Sequence, residues 1–285
     1  MVDLNREFLG KEYHTGPQLI SPESIRQYAL ATNEKNHHYL SDKLDELVPP
    51  PIYPVVFLPG ILSQVVDDAE EMNFNIMRVV HAEHQMFWKQ LLLPGDKIKT
   101  TARIVAMEQR GANEILDLSI QCKRDDEVVV EMLYRLLSRG EKKEGEKKLP
   151  STVDAPKKGK LLVKQKSVVT ADQGLRYAEA SGDHNPIHKS DDVAKSVGLP
   201  RAILHGLCTM ALASQALVEG LLDGNPNRMK SMSVRFSSPV LLDQTLTTEV
   251  FDEGVNEEGQ HVVHFETRDE QGTPVLIHGV AEYSE

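Results

Sequence analysis

The chain of 285 residues lacks most features of secreted, membrane-spanning or disulfide-stabilised proteins. Its two cysteines, Cys122 and Cys208, lie far apart and do not have the spacing of a metal site. It contains no run of apolar residues long enough to span a membrane, and its first residues include no apolar segment of the kind that a secretory signal needs. We therefore expect reduced thiols, no membrane span and a cytoplasmic location.

Positive charge is also scarce, because 32 lysines and arginines face 43 aspartates and glutamates, for a formal net charge of −11. A protein with this balance repels a phosphate backbone, so we do not expect a nucleic acid partner. Apolar residues make up 40% of the chain, which is enough for a sizeable core and excludes disorder of the whole chain.

One segment, residues 140–160, has almost no large apolar residue and mixes charges with glycine and proline. Such a composition is typical of a solvated linker. It predicts two domains of ordinary size, residues 1–139 and residues 161–285.

The two halves resemble each other in sequence. Residues 28–36 (YALATNEKN) can be laid on residues 177–185 (YAEASGDHN) without a gap, and Gly60 then meets Gly206 after a short gap. Chance could explain any single match, but it explains poorly a whole series of matches that keep their order at a nearly constant offset. The series therefore indicates an internal duplication.

The predicted elements repeat as well. Each half opens with a short helix, and a second short helix is predicted over residues 41–48 and 190–197. A central helix follows, and in the second half (206–218) it is apolar nearly all round, which predicts burial. Alternating strands end each half. This order indicates an α+β fold with a sheet wrapped around a helix, and edge pairing of the two sheets would make them continuous.

The sharpest segment for chemistry is the loop Asp183-His-Asn185-Pro186-Ile-His188. Pro186 disfavours the helical conformation at Asn185 and stiffens the residues after it. Such a loop can hold a carboxylate and an imidazole toward one small volume, where they could orient and deprotonate a water molecule. The same residues also suit an ordinary Asx turn. We expect His184, inside the motif, to face solvent.

A second segment, Ile203-Leu-His205-Gly206, stands at the start of the apolar helix. Backbone N–H groups in the first turn of a helix have no internal partners, and the positive end of the helix dipole lies behind them. Gly206 has no side chain to block a ligand. This helix start could therefore stabilise an oxygen that becomes negative during a reaction.

These two segments together resemble the signature of the MaoC-like (R)-specific enoyl-CoA hydratases, whose halves are hot-dog folds. The resemblance is specific from residue 177 to about residue 246, and the first half looks like the degenerate partner half of double hot-dog enzymes. It implies a tandem hot-dog fold, with two antiparallel sheets that each wrap around a central helix and with catalysis in the second half.

The resemblance also implies roles for individual residues. Asp183 and His188 would be the catalytic pair, and Asn185 would orient one of them or the water. The N–H of Gly206 would bind the thioester carbonyl. His205 and Ser214 are further candidates for the oxyanion and substrate site.

The first half departs from this pattern at the corresponding positions. Glu34 replaces the aspartate, Tyr39 replaces the histidine, and Pro59 stands where the second half has His205. The resemblance then implies one active site per chain, with the lost site serving as a pocket for the acyl chain. Taken alone, Glu34 could equally be a surface carboxylate.

The implied function is hydration of trans-2-enoyl thioesters to (R)-3-hydroxyacyl thioesters, or the reverse dehydration. The substrate would be an acyl-CoA or acyl carrier protein thioester, so coenzyme A is part of the substrate and no separate cofactor is expected. Two alternatives stay open: a hot-dog thioesterase and a non-catalytic acyl-thioester-binding subunit. The sequence also leaves a homodimer open.

His81 and His84 are spaced as metal ligands often are. They would share one face only on a helix, and the following Pro94-Gly95-Asp96 turn favours strands in this region. No carboxylate or cysteine completes a ligand set, so we expect no metal site.

Overall fold

The computed structural model describes residues 3–140 and 159–285, so the predicted linker lies almost wholly outside the described residues. Ten strands were identified within them. The first half contributes β1 (Glu12–Leu19), β2 (Val79–Trp88), β3 (Lys97–Arg110), β4 (Asn113–Arg124) and β5 (Glu127–Ser138). The second half contributes β6 (Leu161–Val169), β7 (Met229–Phe236), β8 (Gln244–Val255), β9 (His261–Arg268) and β10 (Pro274–Tyr283).

These strands form one antiparallel sheet in the order β1-β3-β4-β5-β2-β7-β10-β9-β8-β6. The two halves meet where β2 pairs with β7, and Met86 lies opposite Met232 near the middle of that pairing. Both methionine side chains are buried. The prediction of an α+β fold with a continuous sheet is confirmed. In this sheet each half covers a strand edge that the other half would otherwise expose.

Six α-helices accompany the sheet in the described residues. They are α1 (Pro22–Ala31), α2 (His37–Leu40), α3 (Pro59–Asp67), α4 (Gln173–Ser181), α5 (Asp191–Ser196) and α6 (Gly206–Leu221). The central helix α6 packs against β6, β7 and β8, and its residues from Cys208 to Val218 are all buried. Burial on every side explains why this helix is apolar nearly all round.

The prediction that each half opens with a helix is wrong, because β1 and β6 come before α1 and α4. The helices α1 and α4 lie against each other. The rings of Tyr28 on α1 and Tyr177 on α4 are 5.7 Å apart between centroids. Arg176 donates hydrogen bonds to the carbonyl oxygen of Leu30 and to the side chain of Asn33. The repeated tyrosines therefore meet at the junction, where contacts between the halves are both aromatic and polar.

One predicted helix is absent from the described structure. Residues 41–48 form turns and irregular backbone instead of a helix, whereas α5 does form in the matching part of the second half. Ser190 caps α5 by accepting from the backbone N–H of Val193. In the first half Asn36 caps a shorter helix upstream, α2, which ends when Ser41 turns extended. The cap position decided where each helix began.

Strand β2 carries an irregularity that matters for the site. Its register against β5 shifts between His81 and Glu83, so Ala82 is an extra residue in the ladder. Successive residues of a regular strand alternate faces, and one extra residue reverses that alternation beyond it. His81 and His84 consequently lie on the same face, with ring centroids 5.2 Å apart. The expectation that they share a face only on a helix is wrong.

No helix in the part of the chain that the structure describes is both long enough and apolar enough to cross a membrane.

Candidate active site

The loop that carries the motif begins where α4 ends. Gly182 follows the helix in the left-handed conformation, with φ of 77°, which suits glycine best. A β-carbon there would also lie 3.1 Å from the Pro59 side chain of the first half. Glycine thus lets the chain turn sharply while the two halves stay in contact.

Beyond this turn, two hydrogen bonds between side chains and nearby backbone N–H groups stabilise the loop. The Asp183 carboxylate accepts from the backbone N–H of Asn185 at 3.2 Å, and the Asn185 side chain accepts from the N–H of Ile187 at 3.3 Å. Asn185 is exposed and caps the single 3-10 turn Pro186–His188. The structure therefore gives Asn185 a capping position, and its predicted role in orienting the water stays a prediction.

His188 is buried at the end of this turn. Its Nδ1 lies 2.8 Å from the carbonyl oxygen of Ile203, and because a carbonyl only accepts, Nδ1 carries the proton. Nε2 is then left with a free lone pair. Burial lowers the pKa of His188, while the Asp183 charge and the Ile203 carbonyl oppose that shift. The ring is thus kept neutral and ready to accept a proton.

His205 stands directly before α6 and is also buried. Its Nε2–H donates to the backbone carbonyl of Asp183 at 3.0 Å, and its ring stacks on His188 with centroids 3.7 Å apart. Burial, together with the neighbouring His188, lowers the pKa of His205 to about 4. A neutral His205 therefore holds the Asp183 loop and the His188 ring in place.

The side chains of Asp183, His188 and His205 converge. Their ligand atoms all lie within 4.8 Å of one another, and Asp183 is half-buried. A water molecule between a carboxylate and an unprotonated imidazole nitrogen can donate to both. The arrangement is thus able to orient a water molecule and to remove one of its protons.

Gly206 opens α6 beside this cluster. The Phe236 ring lies 3.1 Å from where a β-carbon of Gly206 would be, so a larger side chain would crowd the site. The unpaired N–H groups of the first turn and the helix dipole favour negative charge here. Ser214 lies eight residues on, about 12 Å along the helix, and its hydroxyl donates to the Ala211 carbonyl. The structure does not bring Ser214 to the cluster.

The first half supplies part of the wall around this cluster. Burial raises the pKa of the Tyr134 phenol on β5, and the negative charge of the nearby Asp183 raises it further. His81 stacks on Tyr134 at 3.7 Å and lies 4.7 Å from Phe236. Sequence patterns did not indicate Tyr134, because only the pairing of strands from the two halves brings it near Asp183. As predicted, His184 faces solvent.

The matching residues of the first half form a separate buried group. Glu34 is only 6% exposed, so the alternative of a surface carboxylate is wrong. Burial, with the charge of Glu219, raises the pKa of Glu34 to about 8. Tyr39 lies near both carboxylates. Glu219 is thirteen residues beyond Gly206 on α6, roughly 20 Å along the helix. The buried group around Glu34 and the pair Asp183–His188 therefore lie at opposite ends of α6.

Two family models match the chain, one in each half. The model described as a MaoC like domain matches residues 152–273, and the model described as a FAS1-like dehydratase domain region matches residues 7–132. The second half of the chain therefore contains a MaoC-like domain, and the first half contains a FAS1-like dehydratase region. The resemblance stated from the two motifs is thereby confirmed, and Asp183, His188, His205 and Gly206 all fall within the MaoC-like domain.

Relatives and solved structures agree with this assignment. The probable enoyl-CoA hydratase 2 of Dictyostelium discoideum is 26% identical over 242 residues, which cover 81% of each chain. The peroxisomal multifunctional enzyme type 2 of mouse is 27% identical over 227 residues; the match covers 78% of this chain but 30% of that enzyme.

The crystal structure of a MaoC-like dehydratase from Phytophthora capsici superimposes with a TM-score of 0.85 at 24% identity, over 100% of this chain and 98% of that one. With the continuous sheet, this likeness confirms the predicted tandem hot-dog fold.

The cluster of Asp183, His188 and His205 has the residue types of a metal site, but its geometry argues against one. The planes of the His188 and His205 rings are 27° apart in a stack. Imidazole lone pairs lie in the plane of the ring, so stacked rings direct them side by side and not toward one ion. We therefore keep the prediction that no metal is bound.

Proposed function

We propose that the protein adds water to trans-2-enoyl thioesters to form (R)-3-hydroxyacyl thioesters, and runs the reverse dehydration when its product accumulates. One observation carries the proposal: Asp183 and His188, whose Nδ1 is already bonded to the Ile203 carbonyl, converge beside the N-terminus of α6. The match to the MaoC like domain and the names of the relatives agree with this chemistry.

The reaction needs three events that the residues can supply. Water between Asp183 and His188 gives one proton to the pair as its oxygen bonds to C3. The π electrons of the C2–C3 bond move toward the thioester carbonyl, whose oxygen becomes negative. C2 then takes a proton back from the pair, so that the net change is one water added across the double bond. Which of the two residues is the base depends on a coupled titration.

The negative oxygen is stabilised by the start of α6. The N–H of Gly206 points out of the helix end, and the dipole of the sixteen-residue helix lies behind it. Stabilisation of this kind acts where charge develops in the transition state and is often the largest single contribution to catalysis. The carrier, coenzyme A or acyl carrier protein, remains outside this site as part of the substrate.

The first experiment is a hydration assay with crotonyl-, hexenoyl- and decenoyl-CoA. We expect loss of the absorbance of the conjugated thioester, and chiral analysis should return the (R)-3-hydroxyacyl product. Release of free thiol without loss of the double bond would support the thioesterase alternative. Binding without either reaction would support a non-catalytic subunit.

Metal removal should leave this activity unchanged. We expect the same turnover before and after dialysis against a chelator, because the proposed steps use only proton transfer and backbone N–H groups. The metal content of both samples should be measured alongside. A loss of turnover that zinc restores would contradict the metal-free mechanism, in spite of the stacked geometry of the histidines.

A further inference from the structure

Tyr134 on β5 carries a polar group of the first half that the proposed mechanism leaves unused. Its hydroxyl makes no hydrogen bond within the residues that the structure describes. The side chain nevertheless keeps 7% of its surface accessible, and its oxygen is not among the fully enclosed unpaired atoms of those residues. A water molecule can therefore reach this hydroxyl, and a nearly buried phenol usually does have a partner.

Strand pairing places Tyr134 on the face of the sheet that borders the active site. Tyr134 lies opposite His84 on β2, and His84 lies opposite Val234 on β7, so the three side chains share one face across the junction of the halves. Phe236, two residues beyond Val234, points to the same face, and its ring lies 3.1 Å from the position of a β-carbon on Gly206. The start of α6 thus packs over the sheet face that Tyr134 also occupies.

Ring contacts connect Tyr134 to this helix start. His81 stacks on Tyr134, with ring centroids 3.7 Å apart and planes 7° apart, and it lies 4.7 Å from the Phe236 ring. The three rings form one continuous wall, and Asp183 lies close enough to Tyr134 for its charge to act on the phenol. Because the stack fixes the plane of the Tyr134 ring, the hydroxyl has a defined position near the carboxylate.

The Asp183 carboxylate and the Tyr134 hydroxyl are neighbours without a direct hydrogen bond. One carboxylate oxygen accepts from the N–H of Asn185, and no other group of the described residues donates to this carboxylate. Asp183 is also partly exposed. Two polar groups in this relation are commonly bridged by a water molecule. Since Asp183 belongs to the pair that holds the water of the proposed reaction, one water molecule can serve both contacts.

Resting on the proposed hydratase function, we propose that the Tyr134 hydroxyl binds the reacting water and, after the addition, the C3 hydroxyl group of the product. A water molecule has up to four hydrogen-bonding positions. Its two hydrogens are donated to Asp183 and His188, one lone pair bonds to C3, and the remaining lone pair accepts from Tyr134. Burial and the Asp183 charge raise the pKa of Tyr134, so the phenol keeps its proton and only orients the oxygen. The first half then contributes a hydrogen bond to the active site of the second half.

The test uses Tyr134→Phe, which removes the hydroxyl and keeps the ring that stacks on His81. The (R)-3-hydroxyacyl product has an oxygen at C3, whereas the enoyl substrate and a saturated acyl thioester have none. We therefore expect the inhibition constant of the (R)-3-hydroxyacyl-CoA product to rise about fivefold to tenfold, the usual effect of one lost hydrogen bond. The inhibition constant of the saturated acyl-CoA of equal length should not change. Turnover should fall severalfold, because the water loses one contact, while KM for the enoyl-CoA stays the same.

Tyr283→Phe is the matched control, because Tyr283 also stacks on a histidine, His261, but lies opposite Met229, at the other end of β7 from Phe236. It should leave both inhibition constants at their wild-type values, and melting temperatures establish that both variants are folded. If Tyr134→Phe raises both constants equally, Tyr134 serves packing and the proposal is wrong. Constants that stay unchanged for both ligands also overturn it. These outcomes require an active wild type, whereas a wild type that hydrates no enoyl-CoA contradicts the proposed function itself and with it this role of Tyr134.

Discussion

Asp183→Asn and His188→Ala should each lower turnover by about a hundredfold or more, the usual worth of a general acid–base group. Asparagine keeps the size of Asp183 and can still accept from the Asn185 N–H, so the loop is retained while the carboxylate is lost. His188→Ala removes the free Nε2. Steady-state kinetics with an enoyl-CoA substrate would measure both effects, and circular dichroism would show whether the fold is intact.

Glu34→Gln is the matched control in the first half. Glu34 occupies the position that corresponds to Asp183, but Tyr39 stands where a histidine would be, and the group lies near the far end of α6. We expect turnover close to that of the wild type, and any effect should appear in the apparent substrate affinity. If Glu34→Gln were as damaging as Asp183→Asn, the model of one active site per chain would be wrong.

The stability of the protein should depend on pH through Glu34. Its pKa is raised from 4.5 to about 8, mainly by burial. Between these values the folded state holds a proton that the unfolded state has lost, so the contribution of Glu34 falls as pH rises from about 4.5 to 8. Each unit of pKa shift corresponds to roughly 1.4 kcal/mol, which makes the total on the order of 5 kcal/mol. Below pH 4.5 the contribution of this group is fully present.

Glu34→Gln removes this titration, because glutamine stays neutral. The free energy of unfolding should therefore rise relative to the wild type as pH increases from about 5 to 8, as measured by denaturant titration at each pH. Buried histidines such as His84 and His205, whose pKa values are lowered, destabilise the folded protein at acid pH and so have the opposite effect. Because both proteins contain them, this effect cancels in the difference between the two free energies of unfolding. Glu257→Gln, at an exposed turn, is the control that should show no such trend. Parallel pH curves for Glu34→Gln and the wild type would contradict the buried, protonated Glu34.

Much of the fold could be predicted because its signals are local or repeat along the chain. The duplicated segments at Tyr28 and Tyr177 indicated two similar halves, and the all-apolar stretch after Gly206 indicated a buried helix. The helix over residues 41–48 was predicted wrongly, since Asn36 caps the chain earlier. Capping depends on one side chain, which makes the ends of short helices sensitive to single residues.

The site was predicted in part for the same reason. Asp183, His188 and Gly206 belong to two short motifs, each placed by its own loop or helix end. His205 was predicted only as a further candidate for the oxyanion and substrate site, yet its hydrogen bond to the Asp183 backbone and its stack on His188 make it a central support of the cluster. That contact joins two segments about twenty residues apart, and no local pattern predicts it.

The sequence by itself determined the duplicated architecture and the pairing of a carboxylate with an imidazole on a proline-stiffened loop, because periodicity, caps and turn residues act over a few positions. The tertiary structure alone decided the burial of Glu34 and the approach of Tyr134 to Asp183. It also decided the common face of His81 and His84. These features depend on the extra residue Ala82 in the pairing of β2 with β5, and on the edge pairing of β2 with β7. In both cases strands that are distant in the sequence meet and bury side chains between them.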